Sequence, residues 1–223
     1  MTETKVLDHT ASYSRHGQPL LDGDRYVEFA WMGAQMPTGT GACLDVGCGR
    51  YSPLGLMAAL KGWKVVATDL QEISWDYLHP RLMFFQKDVR SLKESLLHFQ
   101  LILNCSTMEH VGLAGRYGVQ QQEVDGDLEV MESLLDVSFS NTVHLLTVPV
   151  GKDDIYPPLH RIYGDERLPL LLKGWKVHLE YYWVKRDGIK WELVTKEVAM
   201  SYPSSAHSYA IGCFRMTPEK VSL

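Results

Sequence analysis

The chain has no cysteine pair at C-x-x-C spacing. Its four cysteines, Cys43, Cys48, Cys105 and Cys213, are scattered through 223 residues. That spacing excludes the redox dithiol motif and fits no common cysteine zinc framework. Free thiols in a reducing compartment are expected instead. Long apolar runs are also missing, and none approaches the ~20 residues of a membrane span. The start, "MTETKVLDHT", is polar and lacks the apolar core of a secretion signal. A cytoplasmic protein with no membrane span is expected. Positive charge is in short supply, with 22 lysines and arginines against 27 aspartates and glutamates, a net charge of −5. Nucleic-acid binding wants a basic face, so no nucleic-acid partner is expected. The densest basic group, Lys185, Arg186 and Lys190, reads as a solvated turn.

What the chain does have is alternation. A first helix is predicted in "DGDRYVEFAWMGAQM", capped by Asp22 or Asp24, with "PTGTG" breaking it. Strands follow at "ACLDV", "WKVVATD", "RLMFFQKDV", "QLILNCS" and "TVHLLTVPV". Helices fall between them at "PLGLMAALKG", "SLKESLLHF" and "DGDLEVMESLLDVS". Strands alternating with helices predict parallel β-α units in a doubly wound α/β sheet. Residues 151–174 read as a long connection with one short helix near its end. Two strands around "RDG" come next, then a closing strand at "HSYAIGCFRM", expected to be antiparallel. One domain over residues 1–223 is expected. Within it, 1–40 would form a helical lid and 150–175 an insertion on the acceptor side.

The first chemical motif is "LDVGCGRYSP", residues 44–53. Gly47 and Gly49 follow a strand and precede a helix, where glycine permits φ > 0 and close approach of a ligand. Asp69 closes the next strand, where a doubly wound fold places an acid on a ribose diol. A dinucleotide site would need Gly or Ala at position 52, and Ser52 stands there. Asp45, just before the first glycine, suits an ammonium-bearing ligand better than a pyrophosphate. S-adenosylmethionine carries an ammonium, a ribose and an adenine, and no phosphate.

"LDVGCGRYSPLGLMAALKGWKVVATDL" resembles the first two motifs of the class I S-adenosylmethionine-dependent methyltransferases. The resemblance implies a Rossmann-like, mostly parallel seven-stranded sheet with a final antiparallel strand. It implies that Asp45, Gly47 and Gly49 frame the methionine part, that Asp69 meets the ribose, and that Leu70 beside it contacts the cofactor. "QKDVRSL" is similar to the next motif, so Asp88 and the Val89 backbone would meet the adenine. Asn104 and Ser106 would line the methyl-donor pocket. A wider stretch, about 42–183, resembles a narrower group of bacterial and archaeal methyltransferases. That group is related to a domain family of otherwise unknown function and suggests sugar or polysaccharide modification. Where many of those relatives carry a Lys-Pro-Gly-Gly turn, this chain reads "DVSFSNTVHLL".

"STMEHVGLAGRYG", residues 106–118, follows the fourth strand at the sheet edge where open α/β sheets bind ligands. His110 can serve as a general base for a hydroxyl acceptor, with Glu109 orienting it and His160 a second candidate. Arg116, Tyr117, Arg161 and Tyr163 are candidates for contacting a polar substrate. Each has a structural alternative. Glu109 and His110 could cap a short helix, Arg116 could pair with Glu123 or Asp127, and "HRIYG" could anchor its loop. Asp153 and Asp154 read as a solvated turn. A divalent metal near Asp125, Asp127 and His110 is conceivable but not favoured, and "DGD" is read as a helix cap. Tyr13, Arg15 and Tyr26 could close over the cofactor. The expected acceptor is a sugar, glycan or other small polar molecule methylated on oxygen. The alternatives are methylation of an amine, on a small molecule or a protein side chain, and a non-catalytic cofactor-binding subunit.

Overall fold

The structure, a computed structural model, describes residues 24–50, 52–73, 79–94, 97–186 and 190–219. The expected first helix is α1, Arg25–Gln35, which buries Val27, Trp31 and Met32 on one stripe. Asp24 precedes it without making a side-chain cap bond, and Asp22 lies outside the described residues. There follow β1 (Ala42–Val46), α2 (Pro53–Leu60), β2 (Lys64–Asp69), β3 (Leu82–Gln86) and β4 (Phe99–Cys105), then α3 (Gly126–Asp136) and β5 (Ser138–Val150). One expected helix is different. Where "SLKESLLHF" begins, the chain makes a tighter 3-10 turn over Val89–Glu94. Asp88 winds it, because its carbonyl accepts from the Ser91 N–H and hydroxyl and its carboxylate from the Arg90 N–H. Such local bonds compete with the α-helical ladder.

The connection after β5 holds more structure than expected. It forms a hairpin, β6 (Asp154–Tyr156) and β7 (His160–Ile162), before the short helix α4 (Arg167–Leu171). Asp153 is no mere solvated turn. Its carboxylate accepts the backbone N–H groups of Gly164 (2.7 Å), Glu166 (2.8 Å) and Arg167 (3.1 Å), which caps α4. Then come β8 (Trp175–Arg186), β9 (Lys190–Val194), an unexpected α5 (Lys196–Met200) and β10 (Ala210–Pro218).

The main sheet runs β3-β2-β1-β4-β5-β10-β8-β9. The first five strands are mutually parallel, and β10 is antiparallel to both β5 and β8. The late antiparallel strand is therefore present as expected, lying between β5 and β8. β9 brings the sheet to eight strands, one more than expected.

Period-two alternation builds a core on each face. Cys43, Leu101, Leu103, Leu145 and Cys213 meet α1 and α2 on one side. Leu44, Val46, Ile102, Leu146 and Phe214 meet α3 and α4 on the other. Strand order reverses between β1 and β4, which opens a crevice at their carboxyl ends.

Candidate active site

The glycine loop leaves β1 at that crevice. Gly47 and Gly49 both have positive φ, +61° and +63°. A Cβ on Gly47 would stand 2.3 Å from Thr107 Cγ2, so the loop lies flat against the end of β4. A Cβ on Gly49 would meet nothing within 4 Å, so that glycine opens onto free space. Asp69, at the end of β2, holds the loop from the side, its Oδ2 accepting the Gly49 N–H at 3.1 Å.

These residues border a cleft of about 460 Å³, lined also by Leu70, Asp88, Val89, Ser106 and His110. That size suits a small-molecule ligand. Asp88 enters the cleft with a carboxylate already engaged by Arg90, through Nη2 at 2.7 Å and Nε at 3.0 Å. Burial pulls its pKa upward, but the Arg90 hydrogen bonds and charge prevail and hold it below the ordinary value. Arg90 itself was not singled out in the sequence. It also pairs with Glu123 and Glu129 and so ties the 3-10 turn to α3.

Two expected cofactor residues do not line the cleft. Asp45 turns inward, where its Oδ2 accepts the Ser52 hydroxyl at 2.6 Å and the Gly55 N–H at 3.1 Å. It thereby caps α2 from a neighbouring strand and shapes the glycine loop from beneath. Burial pushes its pKa up to about 6 against those two bonds. Asn104 is fully buried, and its side-chain amide has no partner among the described residues.

A second cavity of about 400 Å³ adjoins the cleft, sharing Arg25, Ser106, His110 and Tyr117 with it. Asp24, Glu109, Arg116, His160, His207 and Tyr209 complete its polar wall. His110 Nδ1 lies 2.6 Å from the Leu159 carbonyl. A carbonyl only accepts, so Nδ1 carries the proton and Nε2 keeps a lone pair. Glu109 Oε1 is 3.7 Å from Nε2, beyond hydrogen-bond range. Burial drives both groups toward neutrality, the His110 pKa down to about 4 and the Glu109 pKa up to about 8. His160 lies against Tyr209, ring centroids 5.0 Å apart, and desolvation lowers its pKa as well.

Arg161 and Tyr163, expected to contact substrate, belong to a buried lock instead. The Arg161 guanidinium donates to the carbonyls of Val111, Glu123 and Val124, and the Tyr163 hydroxyl donates to Asp127 at 2.9 Å. Asp127 also binds Arg167, which reaches Asp125 as well. Asp125 stands at the helix N-cap without making a side-chain cap bond. Among the described residues no group of three or more His, Cys, Asp and Glu side chains is placed to hold a metal ion. Arg116 pairs with neither Glu123 nor Asp127.

Glu28 escaped the sequence reading altogether. Its buried carboxylate accepts from Arg25, Ser106 and Thr147, pinning α1 to the ends of β4 and β5. The readable signal was an acid inside the apolar stripe Val27–Trp31–Met32. Tyr26 is 41% exposed on α1 and lines neither cavity, and Tyr13 and Arg15 lie outside the described residues.

Solved structures of similar architecture include methyltransferases and a cyclase. A Burkholderia thailandensis 1,6-didemethyltoxoflavin-N1-methyltransferase, solved with bound 1,6-didemethyltoxoflavin and S-adenosylhomocysteine, is similar at 16% identity and a TM-score of 0.58. The match covers 87% of this chain and 76% of that one. The N-methyltransferase NodS of Bradyrhizobium japonicum is similar at 8% identity and a TM-score of 0.54, over 87% and 95% of the two chains. The [4+2]-cyclase SpnF matches at 15% identity and a TM-score of 0.60, over 85% and 79%. Sheet order, glycine loop and these likenesses define a class I S-adenosylmethionine-dependent methyltransferase fold. The cyclase shows that this fold also carries another reaction. No curated protein sequence matches the chain. The chain belongs to the DUF268 family, described as Caenorhabditis protein of unknown function, whose model matches residues 79–211.

Proposed function

We propose that the protein is an S-adenosylmethionine-dependent methyltransferase acting on a hydroxyl of a small polar molecule. The observation that carries this reading is the position of His110. It borders both the cleft and the adjoining cavity, with Nδ1 committed to Leu159 and Nε2 without a hydrogen-bond partner among the described residues.

The cleft fits the cofactor in its donor set. Gly49 offers open space beside the loop, Asp69 offers carboxylate oxygens for a ribose diol, and Leu70 and Val89 offer apolar walls for a base. Asp88 stands at the adenine end with its charge balanced by Arg90. When bound, S-adenosylmethionine supplies a methyl group on a positively charged sulfur, which leaves with the bonding electron pair. His110 Nε2 receives the acceptor's proton as the new carbon–oxygen bond forms. A weak base suffices there, because the attacking hydroxyl becomes strongly acidic as that bond develops. An amine acceptor with its own lone pair needs no such base, which favours oxygen. The β6–β7 segment reaches the second cavity through Leu159 and His160, which supports the acceptor-side role read for residues 150–175.

Calorimetric titration of S-adenosylhomocysteine tests the reading. Wild-type protein is expected to bind it with micromolar affinity, and Asp69→Ala to bind it at least about tenfold more weakly. Absence of binding to folded wild-type protein removes the proposal's main support.

A further inference from the structure

The cavity beyond His110 has an uneven charge balance. Arg25 is paired with Glu28. Asp24 accepts the Tyr209 hydroxyl at 2.6 Å, and burial favours its neutral form. Glu109 is also drawn toward neutrality by burial. Three imidazoles, His110, His160 and His207, face the same space. Arg116 adds a permanent positive charge to this wall, and it has no carboxylate partner among the described residues.

Arg116 is nevertheless held in place. Its guanidinium lies over the Tyr117 ring, 4.5 Å from the centroid, and Nη1 donates to the Leu159 carbonyl at 3.2 Å. Tyr117 has a positive φ of 53°, a conformation disfavoured for a bulky residue, and its ring also meets His110 edge-on at 5.2 Å. Stacking and one spent N–H leave the rest of the guanidinium fork available to a carboxylate or phosphate oxyanion. Two more features call for a polar occupant. Glu109 Oε2 and His160 Nε2 are buried without partners among the described residues, and an orphaned buried polar atom is costly.

We propose that the acceptor is an anionic hydroxylated small molecule, whose carboxylate or phosphate docks on Arg116 while a neighbouring hydroxyl faces His110. This rests on the methyl-transfer reading. The two groups are adjacent on the acceptor, because Arg116 and His110 converge on one carbonyl, that of Leu159. A sugar acid and a sugar phosphate both have that form.

Imidazole NMR resonances of the full chain provide the test, with acetate and inorganic phosphate as probes and chloride at matched ionic strength as control. Either oxyanion is expected to shift the His160 and His207 signals saturably. The tighter of the two identifies carboxylate or phosphate as the docked group. Arg116→Gln should weaken that binding at least about tenfold, and Arg116→Lys less so. S-adenosylhomocysteine affinity should stay unchanged in both variants, because Arg116 does not line the cleft. No saturable shift in wild type, or equal affinity in Arg116→Gln, overturns the inference. Oxyanion binding without S-adenosylhomocysteine binding overturns the methyl-transfer reading and its acceptor together. The reverse pattern overturns this inference alone.

Discussion

Glu109 and His110 are consecutive, share one buried environment and shift in opposite directions, because burial penalises whichever form is charged. Burial favours the uncharged form of each near neutral pH, and on the proposed reading His110 accepts the acceptor's proton. Replacing His110 with Ala is expected to lower turnover about a hundredfold or more while S-adenosylhomocysteine affinity holds. The pH profile gives an independent check. With a pKa near 4, His110 loses its lone pair only in acid, so wild-type turnover should stay level down to about pH 5. An acid limb near the ordinary histidine value of about 6.5 would remove His110 from the mechanism. At this scale the sequence was partly legible. Gly49 and Asp69 could be read because loop and strand end dictate where they face. Asp45, Asn104, Arg161 and Tyr163 could not, because a motif position says nothing of which side of the backbone meets solvent. For Arg161 and Tyr163 the deciding partners come from α3 and its preceding loop, more than thirty residues away in the chain.

Between elements, the buried Asp127 carboxylate is the main fastening. It joins α3 to β7 through Arg161 and Tyr163, and to α4 through Arg167. The loop bearing His110 is tied to the same group, because Arg161 also holds the Val111 carbonyl. Asp127→Asn leaves Arg161 buried without its counter-charge and is expected to cost about 3–5 kcal/mol. The urea midpoint reads that loss, and a change below about 1 kcal/mol would mean that the lock is incidental. Element order was largely legible, because hydrophobic runs and glycine breaks mark each β-α unit. Two elements were not. The 3-10 turn at Val89–Glu94 carries a helical composition, which Asp88 overrides locally. The β6–β7 hairpin spans only three residues a side, too short for any periodicity to show.

Across the whole molecule, one sheet carries cores on both faces, with Phe214 of β10 fully buried in the layer under α3 and α4. Phe214→Ala is expected to cost about 3–5 kcal/mol through the cavity it leaves. Because β10 is interior to the sheet, that loss should appear in one cooperative transition seen alike by far-ultraviolet circular dichroism and tryptophan fluorescence. Two separated transitions would show that β8, β9 and β10 unfold as a unit of their own. The position of β10 also governs the order of manufacture. β5 and the β8–β9 pair leave the ribosome before the strand that joins them. At roughly 5–20 residues per second, translation from Val194 to Pro218 takes about one to five seconds. For that interval the nascent chain carries two bare strand edges, each able to capture a neighbouring polypeptide. A shortage of chaperones should therefore reduce the yield of this protein before any weakness in its finished structure is felt.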